Sequence, residues 1–205
     1  MLPEPQLRDV LTQVQPKAMH GPYCRCIGYH HLGPPQGQPA RAPTNEPLWG
    51  MGSRVSGARF TPPGAFETIY LAEDPVTALA EVALVIRHPQ APPLNFRTPP
   101  WVLITVDGMM LSVLDLTDAG IQAAVGTTPQ ELTGEWRYTQ AEGKEAATQL
   151  LGRIGYQTGR FDGIRYPSSK NPPHGVCMAV FPNRLNPPAF LEVYDPHGNL
   201  AQRLP

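Results

Sequence analysis

Excess charge of either sign, cysteine and long apolar runs are all scarce in this 205-residue chain, and each shortage closes off a class of protein. Sixteen Lys and Arg stand against 17 Asp and Glu, a net charge of -1. That balance carries no whole-chain footprint for direct nucleic acid binding or for anionic lipid, so an anionic ligand would need a local arginine cluster. Cys24, Cys26 and Cys177 are too few, and odd in number, for a secreted disulfide framework; reduced thiols are expected. The first 20 residues, MLPEPQLRDVLTQVQPKAMH, are broken by prolines and charges, so they read as neither a signal peptide nor a membrane span. A cytoplasmic protein without a membrane partner is the expectation. Missing too are a P-loop, GxGxxG, HExxH, a GxSxG elbow around the serines, any internal repeat and any low-complexity tail.

Proline is abundant instead, 26 residues beside 19 Gly, gathered at 33–47, 88–100 and 167–188. Such stretches cannot be helix interiors or central strands and read as long ordered loops of one domain. Between them lie periodic segments. Residues 4–15 space Leu7, Val10, Leu11 and Val14 as a short amphipathic helix that Pro16 ends. Residues 23–29 alternate as a strand that sets Arg25 on the face opposite Cys24 and Cys26. A strand over 66–72 leads to Asp74, a helix cap, and Pro75, its first residue; the helix predicted over 75–87 turns Ala78, Leu79, Val82 and Val85 inward, with Glu81 bordering the stripe. Asp107-Gly108 predicts a hairpin turn between strands over 101–106 and 110–116. Capping-box spacings at Thr128/Glu131 and Thr139/Glu142 predict helices over 129–133 and 140–154, the second ended by Gly155. Strands over 161–166, 176–181 and 189–194 follow, then a turn at 195–198 into a last short strand. Strands outnumber helices without strand-helix alternation, so the fold class is α+β.

Two constellations could carry chemistry. The first is Gly57-Ala58-Arg59-Phe60-Thr61-Pro62-Pro63-Gly64, a guanidinium on a proline-stiffened loop, able to fork onto a phosphate. Tyr70 on the next strand and Glu81 on the next helix would bring an aromatic surface and a carboxylate to the same place, as small-ligand sites require. The second is Arg165-Tyr166-Pro167-Ser168-Ser169-Lys170, where hydroxyls and a cation at a strand end can hold a ribose or phosphate. A plain serine-lysine turn is the competing reading. Cys24-x-Cys26 followed by His30-His31 offers zinc-ligand types without the second half that structural zinc sites use, so no metal is assigned.

At these residues the chain resembles the RES-domain family, named for an arginine, a glutamate and a serine and found as toxins paired with Xre-type antitoxins. GARFTPPG at 57–64 resembles the family's GGRWNPPG-like loop, IYLAEDPVTALAE at 69–81 its Tyr-to-Glu segment, and DGIRYPSSK at 162–170 its GI-x-YPSAR element. The resemblance implies one RES domain over 1–205, with residues 1–20 a helical extension and a core from about 21. It further implies a fold similar to the ADP-ribosyltransferases, with mixed or antiparallel central sheets and flanking helices. The implied activity is NAD⁺ degradation at the nicotinamide-ribose bond by phosphorolysis, giving nicotinamide and ADP-ribose-1″-phosphate. NAD⁺ and inorganic phosphate would be substrates, and no cofactor is called for. By motif, Arg25 and Arg59 would grip the diphosphate or the attacking phosphate, Tyr70 would stack beside nicotinamide, and Ser168 would bond ribose or phosphate. Glu81 would be the central catalytic group, its carboxylate stabilising an oxocarbenium-like state. The chain departs from the family at Cys26, often an aromatic, and at Ser169-Lys170, usually a small residue and arginine. Ser169 is therefore an alternative to Ser168. Protein ADP-ribosylation and an inactive nucleotide- or partner-binding module are the competing functions, and an antitoxin covering the pocket is the expected partner.

Overall fold

The computed structural model describes residues 1–29, 32, 46–83 and 100–205. His30, His31, most of the proline-rich stretches at 33–47 and 88–100, and the predicted helical positions 84–87 lie outside the described residues. The chain runs α1 (Glu4–Gln13), β1 (Lys17–His20), β2 (Tyr23–Gly28), α2 (Met51–Ser56), β3 (Ile69–Ala72), α3 (Pro75–Glu81) and β4 (Trp101–Asp115). Then come α4 (Ala119–Ala124), α5 (Pro129–Thr133), α6 (Trp136–Ala141), α7 (Ala147–Thr158), β5 (Gly163–Pro167), β6 (Val176–Val180), β7 (Phe190–Val193) and β8 (Arg203–Leu204). The α+β reading holds: eight strands form one mixed sheet in which β4 and β5 run parallel and the other pairings are antiparallel.

The sheet path β2-β3-β6-β5-β4 returns to β2, so these five strands close on themselves. Closure buries both faces, and the strand sequences show it. In β6, Cys177 and Ala179 join an outer core with Leu7, Leu11, Leu151 and Ile154 of α1 and α7. Met178 and Val180 join an inner core with Tyr23, Ile27, Ile69, Leu71 and Val106. Burying each such leucine or isoleucine is worth about 1.5–3 kcal/mol. Leu7 and Leu11 seal α1 onto α7, while Glu4 meets Arg153 at 2.9 Å.

Several predicted boundaries move, each for a local reason. Asp107-Gly108 does not turn, because it lies inside the 15-residue β4, where Asp107 pairs with Glu192 and Gly108 with Leu191. A Cβ on Gly108 would stand 2.7 Å from Leu191 Cδ2, so the glycine serves close packing. Gly21-Pro22 only interrupts the strand before β4, so that β1 and β2 follow one another in the same direction along one edge of β4. Lys17–His20, placed by sequence in the helical extension, is thus a strand of the sheet. The helix predicted over 140–154 splits: Gly143 at φ 73° breaks the path after α6, and α7 starts when Gln149 Oε1 accepts from Ala146 N. Gly155 does not end α7; Gly159, at φ 69°, does. The strand predicted over 66–72 narrows to Ile69–Ala72, since Thr68 N donates to Ser53 Oγ. Asp74 caps α3 from Thr77 N as expected. That helix stops at Glu81 rather than 87, Ala83 taking φ 59°, a reversal costing a non-glycine residue about 1–2 kcal/mol. Capping at Thr128 places α5 as predicted. Among the described residues no helix is long and apolar enough to cross a membrane.

Gly152 has no room for a side chain, since a Cβ would meet Phe60 O at 1.9 Å, whereas one on Gly155 would make ordinary contact with Ile164 Cδ1 at 3.9 Å. Gly152→Ala should therefore lose about 1–3 kcal/mol in denaturant unfolding. Gly155→Ala should be neutral or gain about 0.5–1 kcal/mol by helix propensity.

Candidate active site

Six residues of β2 are in register with β4, but only Cys24 pairs with β3, opposite Ala72. Beyond that pair the two strands part, and a cleft of about 380 Å³ opens between Arg25, Cys26 and Ile27 on one side and Thr68, Tyr70 and Leu71 on the other. Arg25, Arg59, Tyr70 and Glu81 all line it; Ser168 does not, while its neighbours Ser169 and Lys170 do. The first constellation thus converges as its spacing suggested.

Arg25 shares its strand face with Tyr23 and Ile27, opposite Cys24 and Cys26 as the alternation required. Its Nη2 donates to Trp49 O at 2.7 Å, and its Nη1 is enclosed with no hydrogen-bond partner. Burial lowers its pKa to about 10, against the attraction of Glu67, and leaves it a cation at neutral pH. A desolvated, unpaired N–H pair is costly unless something fills it.

Tyr70 is anchored from behind. Its hydroxyl accepts from Phe60 N at 3.0 Å, and burial pushes its pKa up to about 12, so it stays neutral. The loop it grips is the Arg59 loop, which Gly152 allows α7 to approach and which Gln149 Nε2 also ties at Ala58 O, 3.1 Å. Phe60 meets the buried Tyr166 edge-on, with ring centroids 4.7 Å apart.

Arg59 is largely spent within the protein. Both Nη1 hydrogens go to carbonyls at the C-terminal end of α5, Leu132 O at 2.7 Å and Gly134 O at 3.0 Å. Its Nη2 reaches Ser169 Oγ at 3.1 Å, which leaves one Nη2 hydrogen and the Nε hydrogen. The bonding satisfies carbonyls that the helix end orphans and joins the Ser169 loop to the segment entering α6.

Glu81, the last residue of α3, is exposed toward the cleft. Its Oε1 accepts from Ser168 Oγ at 2.6 Å and from Cys177 Sγ at 3.7 Å. Burial and the nearby Glu81 hold the Cys177 thiol well above its usual range, so it is present as the donor. Ser168 is 2% exposed, and its Oγ accepts from Lys170 N and Asn171 N, both at 3.1 Å. Asn171 Nδ2 in turn donates to Thr77 Oγ1 of α3 at 2.9 Å. The loop after β5 therefore grips the Glu81 helix twice. Of the second constellation, Arg165 turns elsewhere, onto Glu73 and Asp115. Sequence reasoning missed Trp49, Asn171, Trp136 and Arg137, which come from polar or irregular segments without periodicity. Cys24 and Cys26 are placed, but His30 and His31 are not described.

The RES domain matches residues 36–202. Over 100 residues, 48% of this chain, the sequence is 33% identical to proteins named NAD(+) phosphorylase MbcT from Mycobacterium tuberculosis (strain ATCC 25618 / H37Rv) and Mycobacterium bovis. The aligned part covers 54% of those proteins, so the chain spans about half the length of the curated relatives it matches. The fold is similar to that of a chain in a crystal structure of the M. tuberculosis MbcT-MbcA toxin-antitoxin complex, with TM-score 0.61 and 20% identity over 97% of this chain and 91% of that one.

The two serines should separate in stability. Ser168→Ala strips an acceptor from two enclosed N–H groups and should lower unfolding stability by about 1–3 kcal/mol. Ser169→Ala, at the cleft wall, should stay within about 1 kcal/mol, read by the same denaturant titration.

Proposed function

Because the chain belongs to the RES domain family, we propose that it cleaves NAD⁺ at the nicotinamide-ribose bond as a toxin, by phosphorolysis to nicotinamide and ADP-ribose-1″-phosphate. The observation that carries this reading is the Glu81 carboxylate, exposed at the cleft with one oxygen fixed by Ser168. The similarity to proteins named NAD(+) phosphorylase supports it.

Cleavage of the C1″–N bond sends the electron pair to nicotinamide, which departs neutral, while a phosphate oxygen forms the new bond to C1″. Positive charge builds on the ribose as the bond stretches. A carboxylate set beside the 2″-hydroxyl stabilises that charge, and one already held by Ser168 and Cys177 needs little reorganisation to do so. In this reading Glu81 is the catalytic residue and Ser168 positions it. Tyr70 supplies a neutral aromatic wall for nicotinamide, backed by its bond to Phe60 N. Arg25, with Nη1 unfilled, takes the diphosphate or the attacking phosphate. The chemistry uses no metal or cofactor of its own.

The proposed partner is an antitoxin of Xre type that covers the cleft. The toxin-antitoxin complex with a similar fold supports an antitoxin, and Trp49, 44% exposed at the cleft wall, offers it an apolar contact.

Purified protein incubated with NAD⁺ should release nicotinamide faster with phosphate than without, the phosphorylated ribose product appearing in equal amount. Glu81→Gln preserves the acceptor for Ser168 and removes the charge. It should cut the rate by about 10²–10³-fold with the unfolding midpoint unmoved. Nicotinamide release that survives this substitution would overturn the role of Glu81.

A further inference from the structure

Among the described residues, four cations line the cleft without a salt bridge, and two of them are exposed. Lys170, on the loop after β5, and Arg137, on α6, are both exposed and both line it. Arg137 rests its guanidinium on the Trp136 ring, 4.6 Å from the centroid, which orients it without using its N–H donors. Glu46 and Glu135 also line the cleft, yet no salt bridge joins either to these cations. Arg59 lies between the loop after β5 and the segment entering α6, bonded to Ser169 beside Lys170 and to Gly134 O, three residues before Arg137.

From this arrangement we infer that Lys170 and Arg137 form the site for a phosphoryl anion, the diphosphate of the bound dinucleotide, and that Arg59 is a positioning residue that fixes the Lys170 loop to the segment entering the Arg137 helix. The inference rests on the NAD⁺ reading for the identity of the ligand but not for the site. An arginine with three of its five N–H groups bonded inside the protein can contribute at most a partial fork to a ligand. Among the described residues, nothing takes the donors of Lys170 Nζ or the Arg137 guanidinium, both exposed where a dinucleotide's charged middle would enter. Arg25 sits apart at the parting of β2 and β3, with the two N–H groups of its enclosed Nη1 unfilled among the described residues, suited to a ligand oxygen. Anion recognition is thereby divided between Arg25 at the strand split and two exposed cations, one on the loop after β5 and one on α6, with Glu81 on the α3 wall.

Calorimetric titration with ADP-ribose, which needs no turnover, tests this. Lys170→Gln and Arg137→Gln should each weaken ADP-ribose binding about tenfold, and the double variant should flatten its salt dependence. Lys170→Arg should restore most of the affinity. In the steady state the double variant should raise KM for NAD⁺ with kcat within about twofold, as expected for a contact made equally in ground and transition states. Arg59→Lys keeps the charge but cannot span three acceptors, so it should lower the unfolding midpoint as well as the affinity. A raised KM for inorganic phosphate with ADP-ribose affinity intact would move the site from the diphosphate to the free anion and overturn that assignment. Unchanged affinity and unchanged phosphate dependence in a folded double variant would overturn the site altogether. Failure of the wild type to consume NAD⁺ would instead defeat the functional reading, leaving the ADP-ribose titration to decide the site independently.

Discussion

β2 has two neighbours and satisfies only one of them along its length. Its six residues are in register with β4, and its pairing with β3 ends at a single position, Cys24 with Ala72. The stretch of β2 left unpaired with β3 keeps backbone and side chains available to a ligand. The cleft is that stretch. Arg25, Cys26 and Ile27 face Thr68, Tyr70 and Leu71 across it because the strands carrying them separate there. The 15-residue β4 makes the closure possible, since one strand must be long enough to accept β1 and β2 on one edge and β5 and β7 on the other.

Around that opening the protein spends its polar groups on holding a few side chains still. Ser168 is enclosed, bonded to two backbone N–H groups and to Glu81, so its hydroxyl sets a carboxylate's orientation from behind. Tyr70 does the same for the Arg59 loop through Phe60 N. Gly152 lets α7 come against that loop at a distance no side chain would permit. Arg59 then links the α5 end to the Ser169 loop. The result is a cleft in which the Glu81 carboxylate is exposed while Ser168 behind it is buried, the arrangement by which the proposed chemistry would keep reorganisation small as charge develops.

The division of labour among the cations follows the same logic. An enclosed guanidinium donor is expensive unless it is filled, and the half-buried Arg59 places three of its five N–H groups on protein acceptors while Arg25 leaves its Nη1 unfilled among the described residues. Lys170 and Arg137 remain in water, where a cation costs little to keep and can steer an anion inward. Charge near neutrality for the whole chain, 16 bases against 17 acids, is consistent with this local arrangement.

Much of this was legible in the residues themselves. Alternation in YCRCIGY set Arg25 apart from its cysteines, Asp74-Pro75 marked the start of the Glu81 helix, and the motif-bearing segments named Arg59, Tyr70 and Glu81, all of which line one cleft. Those features are local: capping, side-chain alternation and turn chemistry act within a few residues, so the order of amino acids carries them. Asp107-Gly108 shows where that reach ends, because a strong hairpin signal was overridden by partners some 80 residues away. So does the serine pair, alike in sequence, of which burial sends one beneath Glu81 and the other to Arg59. The sequence by itself determined the α+β class, the starts of α1, α3 and α5 and the chemical types at the site. Tertiary structure alone decided that β2 and β3 part, which donors are already consumed, and which cations are left over, because each depends on contacts between segments far apart in the chain.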